Sequence, residues 1–170
     1  MAVFGRGPEQ QDRLDFRLLQ FGPVALYYEP AVLARDVAEI KGLGYDARSL
    51  DLKSETVESF HGLIASSLRF PDYYGRNLDA LNDCLSELPY TFESDILMVL
   101  DSFDAFFRRD QRFAHAVLDL LWMNSLRNQM LGHTTLTLVR SNDPRLEVPR
   151  VGAAGIYWNP SEFLNESRGV

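Results

Sequence analysis

Two aspartates, Asp79 and Asp83, stand four residues apart in Asn77-Leu-Asp-Ala-Leu-Asn-Asp-Cys-Leu85, a few residues after the pair Tyr73 and Tyr74. Leu78, Leu81, Leu85 and Leu88 recur at i, i+3, i+7 and i+10, which turns one stripe of a short helix inward. Asp79, Asn82, Asp83 and Ser86 then share the opposite face, and Asn77 is placed to cap it. Like charges four apart cost a helix about 0.2–0.5 kcal/mol, so the pairing does not serve the helix itself. Carboxylates held in fixed positions, with tyrosines offering large contact area at small entropic cost, suit recognition of a basic cleft. The plainer alternative is that Asp79 complements the helix dipole from the first turn and Asp83 is a solvated surface residue.

The charge around this stretch is uneven. From Pro71 to Phe107 eight acids face Arg76 alone, so the whole formal net charge of −7 falls here and the rest of the chain balances. Such asymmetry bears on partners and encounter rates. An acidic chain lacks the basic footprint of nucleic-acid binding, so no direct nucleic-acid partner is expected. One cysteine, Cys84, excludes an internal disulfide framework and a multi-cysteine zinc site. No apolar run reaches membrane-span length and the N-terminus has no apolar signal core, so a cytoplasmic protein is expected, with no metal or cofactor.

The elements that must carry the acidic helix follow from periodicity and punctuation. A strand is expected within Pro23–Pro30, a helix over Ala31–Gly44 and a second strand within Tyr45–Leu52. Ser54 is placed to cap a helix with apolar positions Val57, Phe60, Leu63, Ile64 and Leu68. Pro71 ends it, and Gly75 is expected to give the following loop a positive φ. The acidic helix runs Leu78–Leu88 and stops at Pro89. Ser94–Phe103 is apolar enough for a strand buried on both faces. A long helix over 111–131, with Phe113, Val117, Leu120, Leu121 and Leu131 inward, precedes a strand within His133–Ser141. Gly155–Asn159 adds an edge strand or packs on the surface, and Trp122 and Trp158 read as packing residues. Alternating strands and helices imply an open, mainly parallel α/β sheet of about four strands flanked by helices in three layers. Residues 1–20 read as a flexible tail, 21–141 as the domain, with an added strand-helix unit at 21–44, and 142–170 as an extension packing on it.

The stretch Pro71-Asp-Tyr-Tyr-Gly-Arg-Asn-Leu-Asp-Ala-Leu-Asn-Asp-Cys-Leu85 resembles the signature P-x-Y-Y-G-x-N-L-D-A-L-x-D-C-L of the barstar family, intracellular inhibitors of the ribonuclease barnase. The likeness is nearly unbroken over this motif and continues as element order over roughly 45–141. It implies a barstar-like fold and an inhibitor whose helix and preceding loop plug a basic ribonuclease active site, carboxylates replacing RNA phosphates. Tyr73, Asp79 and Asp83 match the family's contacting tyrosine and acids, and Ser86 stands at its small hydroxyl position. Asn77, Asn82 and Glu87 complete the candidate partner-binding set. Asn82 replaces a contacting tryptophan, Glu87 and Leu88 replace a glycine and an aromatic, and 122–131 lacks the acids the family carries there. The implied partner is a basic secreted ribonuclease or a related nuclease toxin.

Two other readings compete. Asp101 ends the buried strand as a receiver-domain phosphoacceptor would, although only Glu29 and Arg140 stand where an acidic pair and a lysine are needed. The barstar motif could also serve a partner that is not a ribonuclease. Catalysis is not expected: His61, His115 and His133 lie on separate elements, and no nucleophile has a base at recognisable spacing.

Overall fold

A computed structural model describes residues 7–152 and 154–170. Five parallel strands, β1 (Val24–Tyr27), β2 (Asp46–Asp51), β3 (Ile96–Asp101), β4 (Thr135–Arg140) and β5 (Tyr157–Trp158), form one sheet in the order β2-β3-β4-β1-β5. Helices α1 (Leu14–Leu19), α2 (Pro30–Gly42), α3 (Val57–Ser67), α4 (Leu78–Ser86), α5 (Leu88–Thr91), α6 (Phe103–Arg109) and α7 (Gln111–Gln129) cover it. The expected open α/β sheet is present, with β5 as the added fifth strand.

Alternation along the strands divides the core into two layers. In β3, Ile96, Met98 and Leu100 turn to the side of α3, α4, α6 and α7, where they meet Phe60, Leu81, Leu85 and Leu121. Leu97 and Val99 turn to the other side, against Leu14 and Leu18 of α1 and Leu33 and Ile40 of α2. A period of two explains why β3 is apolar throughout. Parallel registers run Asp46↔Ile96 to Asp51↔Asp101 and Val24↔Thr137 to Tyr27↔Arg140. The N-terminal strand thus lies inside the sheet, between β4 and β5.

The polar N-terminal stretch departs from the expected tail, whose first six residues lie outside the described ones. Leu14 and Leu18, four apart, bury one face of α1, and the fully buried Asp15 accepts from Tyr45 Oη at 2.9 Å and Arg13 Nε at 3.1 Å. The surrounding Gln-Gln-Asp-Arg run hides that short apolar face.

Other corrections are local. Thr56, not Ser54, caps α3, through a capping box with Ser59. Gly75 does not take a positive φ; Arg76 does, at 49°. The acidic helix ends at Ser86, and Pro89 sits in the first turn of α5, where it forfeits no helical bond. Helix α6 is additional. Ser102 in left-handed conformation turns the chain out of β3, and Phe103, Phe106 and Phe107 bury one face, a spacing that the preceding apolar run obscures. Leu131 lies past the end of α7 and is exposed.

The C-terminal segment is tied to the sheet at several points. β5 pairs with β1 in the register Ala25↔Tyr157 and Leu26↔Trp158. Buried Glu162 accepts from the Tyr28 and Glu29 amides at 3.0 and 2.7 Å, just ahead of α2, and from the Asn159 side chain. A carboxylate there meets the positive end of the helix. Arg168 lies over the Trp158 ring at 4.2 Å and donates to Pro144 O at 2.9 Å. Glu162→Ala leaves several donors without an acceptor and is expected to cost about 2–3 kcal/mol in urea unfolding.

Candidate functional site

The acidic helix is built as its leucines require. Leu81, Cys84 and Leu85 are buried, the two leucines in the same core as Ile96 and Met98, and Asn77 Oδ1 accepts the Ala80 amide at 2.8 Å to cap the first turn. Asn77 Nδ2 also donates to Gly75 O at 3.3 Å, joining loop to helix. A side chain at Gly75 would crowd that cap, since its Cβ would fall 3.2 Å from Asn77 Nδ2.

The opposite face carries the candidate residues. Asp79, Asp83 and Glu87 are exposed. Among the described residues, neither aspartate side chain takes part in a hydrogen bond or an ion pair. Ser86 is half-buried and its Oγ donates to Asp83 O at 2.7 Å, closing the last turn. Tyr73, on the loop before the helix, is 81% exposed. Tyr73 and Asn77 ahead of the helix, and Asp79, Asp83 and Glu87 along it and at its end, are thus exposed, with Ser86 half-buried.

Asn82 is placed differently. It is half-buried, and its Oδ1 accepts from Asn124 Nδ2 at 2.9 Å; that amide also donates to Leu120 O. Asn128 Nδ2 makes a second tie, to Leu85 O at 3.0 Å. These bonds hold α4 alongside α7. Between the helices runs a groove of about 310 Å³ with Leu78, Leu120 and Met123 along it and Asp79 and Asp119 among its polar lining. Met123 was not among the candidate residues. Its position three after Leu120 is the available signal, obscured because Leu120 itself packs partly against the core.

The remaining reactive groups are quiet. Burial pushes the Cys84 thiol pKa upward, and the charges of Glu87 and Asp83 add to this, so the sulfur keeps its proton. Asp101, the phosphoacceptor candidate, accepts from Arg140 Nε at 2.7 Å and pairs with the same guanidinium at 2.6 Å. Among the described residues, no group of three or more His, Cys, Asp or Glu side chains is arranged to hold a metal ion. No described helix is long and apolar enough to cross a membrane.

The chain is an open parallel α/β sheet flanked by helices, one of which carries exposed acidic residues on its outward face. Residues 47–130 match the family described as Barstar (barnase inhibitor), and over this segment the chain is barstar-like. A curated relative from Bacillus subtilis (strain 168), named "Putative ribonuclease inhibitor YrdF", is 55% identical over 40 residues. That alignment takes in 22% of this chain and 44% of the relative, so the chain spans less than half of the relative's length. The solved structure of the Aeropyrum pernix ORC1 protein in complex with DNA aligns at a TM-score of 0.49 with 15% identity, over 99% of this chain and 50% of that one. At that level the likeness supports no statement about function.

Proposed function

We propose that this protein is an intracellular inhibitor of a ribonuclease or related nuclease toxin and acts by occlusion, without catalysis of its own. Tyr73, Asp79 and Asp83 enter a basic active-site cleft, with Asn77, Ser86 and Glu87 at the margin and Asn82 at the α7 side, and RNA is excluded. The observation that carries this reading is the exposure of Tyr73 on the loop, and of both aspartates on the following helix, whose inward residues are buried in the core. A rigid helix presents its charges without an ordering cost at the moment of binding. The family match and the named relative support the same reading.

The test is titration of the purified chain against a panel of basic microbial ribonucleases, including barnase. Inhibition is expected to saturate at one inhibitor per enzyme, and association to slow steeply as salt rises and shortens the Debye length. Undiminished cleavage by every enzyme in the panel at stoichiometric excess would overturn the proposal.

A further inference from the structure

Tyr74, next in the chain to the exposed Tyr73, is paired with a buried histidine that the proposed contact surface does not itself use. His61 of α3 is 3% exposed, and its Nδ1 stands 2.5 Å from Tyr74 Oη. Its ring meets Phe113 of α7 edge-on at 5.3 Å and Phe60 of its own helix at 6.0 Å. Tyr74 packs against Phe70 at 5.0 Å, and its amide closes a turn on Pro71 O at 2.9 Å. One imidazole therefore joins α3, α7 and the loop that presents Tyr73.

Charges around the pair come from two elements. Burial, and then the Arg76 charge on the loop, hold the His61 pKa below its ordinary 6.5, against a smaller opposite pull from Glu58 on α3. The α7 side presents the Phe113 ring, and Cys84 of α4 lies toward Tyr74. Burial drives the Tyr74 phenol up to about 12. At neutral pH both groups are uncharged and share the Nδ1–Oη hydrogen bond; where the phenol O–H donates, the imidazole proton sits on Nε2.

We infer that His61 is a positioning residue for the recognition loop, and that its protonation loosens the loop and weakens capture of the target. An imidazolium between Phe60 and Phe113 lacks solvation and is repelled by Arg76. Its Nδ1–H must donate to Tyr74 Oη, so the phenol turns its own proton away from the ring and the loop gives up the acceptor that held it. Because its pKa in the folded protein is below the unfolded value, the contribution of the closed loop is complete above pH 6.5. It is lost progressively as pH falls below that point. The consequence for capture rests on the proposed inhibitory function; the loop behaviour does not.

The experiment follows the full chain by NMR from pH 7.5 to 4.5, with amide exchange measured in the wild type, His61→Gln and Tyr74→Phe. Amides from Asp72 to Asn77 and the Tyr73 ring are expected to shift with the His61 titration, at a midpoint below 6.5. Both variants should raise exchange across the loop about tenfold at pH 7, and His61→Gln should flatten its pH dependence. Loop signals that ignore the His61 titration, or exchange unchanged in both variants, would overturn the inference. Inhibition rates taken on the same samples against the ribonuclease panel separate the two claims. A pH-coupled loop with no ribonuclease inhibited would sink the proposed function and leave the role of His61 standing.

Discussion

Asp83→Ala should weaken binding to the ribonuclease we propose as target by about 2–5 kcal/mol, a range known from interfacial charge pairs that include barnase–barstar itself. The same substitution should leave thermal unfolding within about 0.5 kcal/mol of the wild type. The separation follows from placement. The carboxylate is exposed and has no protein partner among the described residues, so folding does not depend on it. Its removal also relieves the repulsion from Asp79 one turn away, which slightly favours the helix. In a complex the same group would lose water and rely on the enzyme's cations, so its deletion would leave those cations buried and unpaired. Calorimetric titration beside a melting curve decides the matter. A large loss of stability with unchanged affinity would make Asp83 a structural residue.

Trp122→Ala should cost about 3–5 kcal/mol in urea unfolding, the range for deleting a buried indole. Trp122 is 6% exposed and lies between two loops far apart in sequence. A Cβ on Gly22, whose φ is 119°, would fall 2.0 Å from its ring, and one on Gly152, whose φ is 59°, would fall 2.7 Å from it. Both glycines are therefore required twice, by backbone conformation and by contact with the indole. Nearby, the Gly152 amide donates to Asp119 at 2.7 Å, and His115 Nε2 bonds to Arg150 O at 2.8 Å, so the C-terminal segment runs along α7. Loss of the indole should unseat that segment and open it to limited proteolysis. Trp122→Phe should recover part of the stability, whereas an alanine variant as stable as the wild type would mean that the indole is dispensable.

The fold was legible wherever periodicity was long or punctuation strong. The apolar run of β3, the leucine stripe of α4 and the Asn77 cap all stand where their residues required. What stayed hidden depended on distant contacts. A polar surround concealed Leu14 and Leu18, whose burial needs the far face of the sheet, and α6 was concealed because its phenylalanines extend an apolar strand without a break. At the candidate site, residue types and periodicity left Tyr73, Asp79 and Asp83 exposed, as they are in the structure. Spacing alone could not disclose that Asn82 bonds to Asn124 across a helix pair, because that contact is set by how α4 lies on α7. Nor could it show that Tyr74, beside the exposed Tyr73, turns inward to His61.

The position of β1 has a consequence for how the chain acquires its structure during synthesis. Val24 pairs with Thr137, so β1, the first of the described strands in chain order, finds its neighbour only when β4 emerges, and β5 later still. Until then Val24, Ala25, Leu26 and Tyr27, all buried in the finished protein, have no sheet to join. Such distant pairing slows folding and leaves sticky intermediates. The segment 47–130 contains β2 and β3 but neither β1 nor β4. If that segment were produced alone, β3 would lack its β4 neighbour, and the acidic helix would rest on an incomplete sheet.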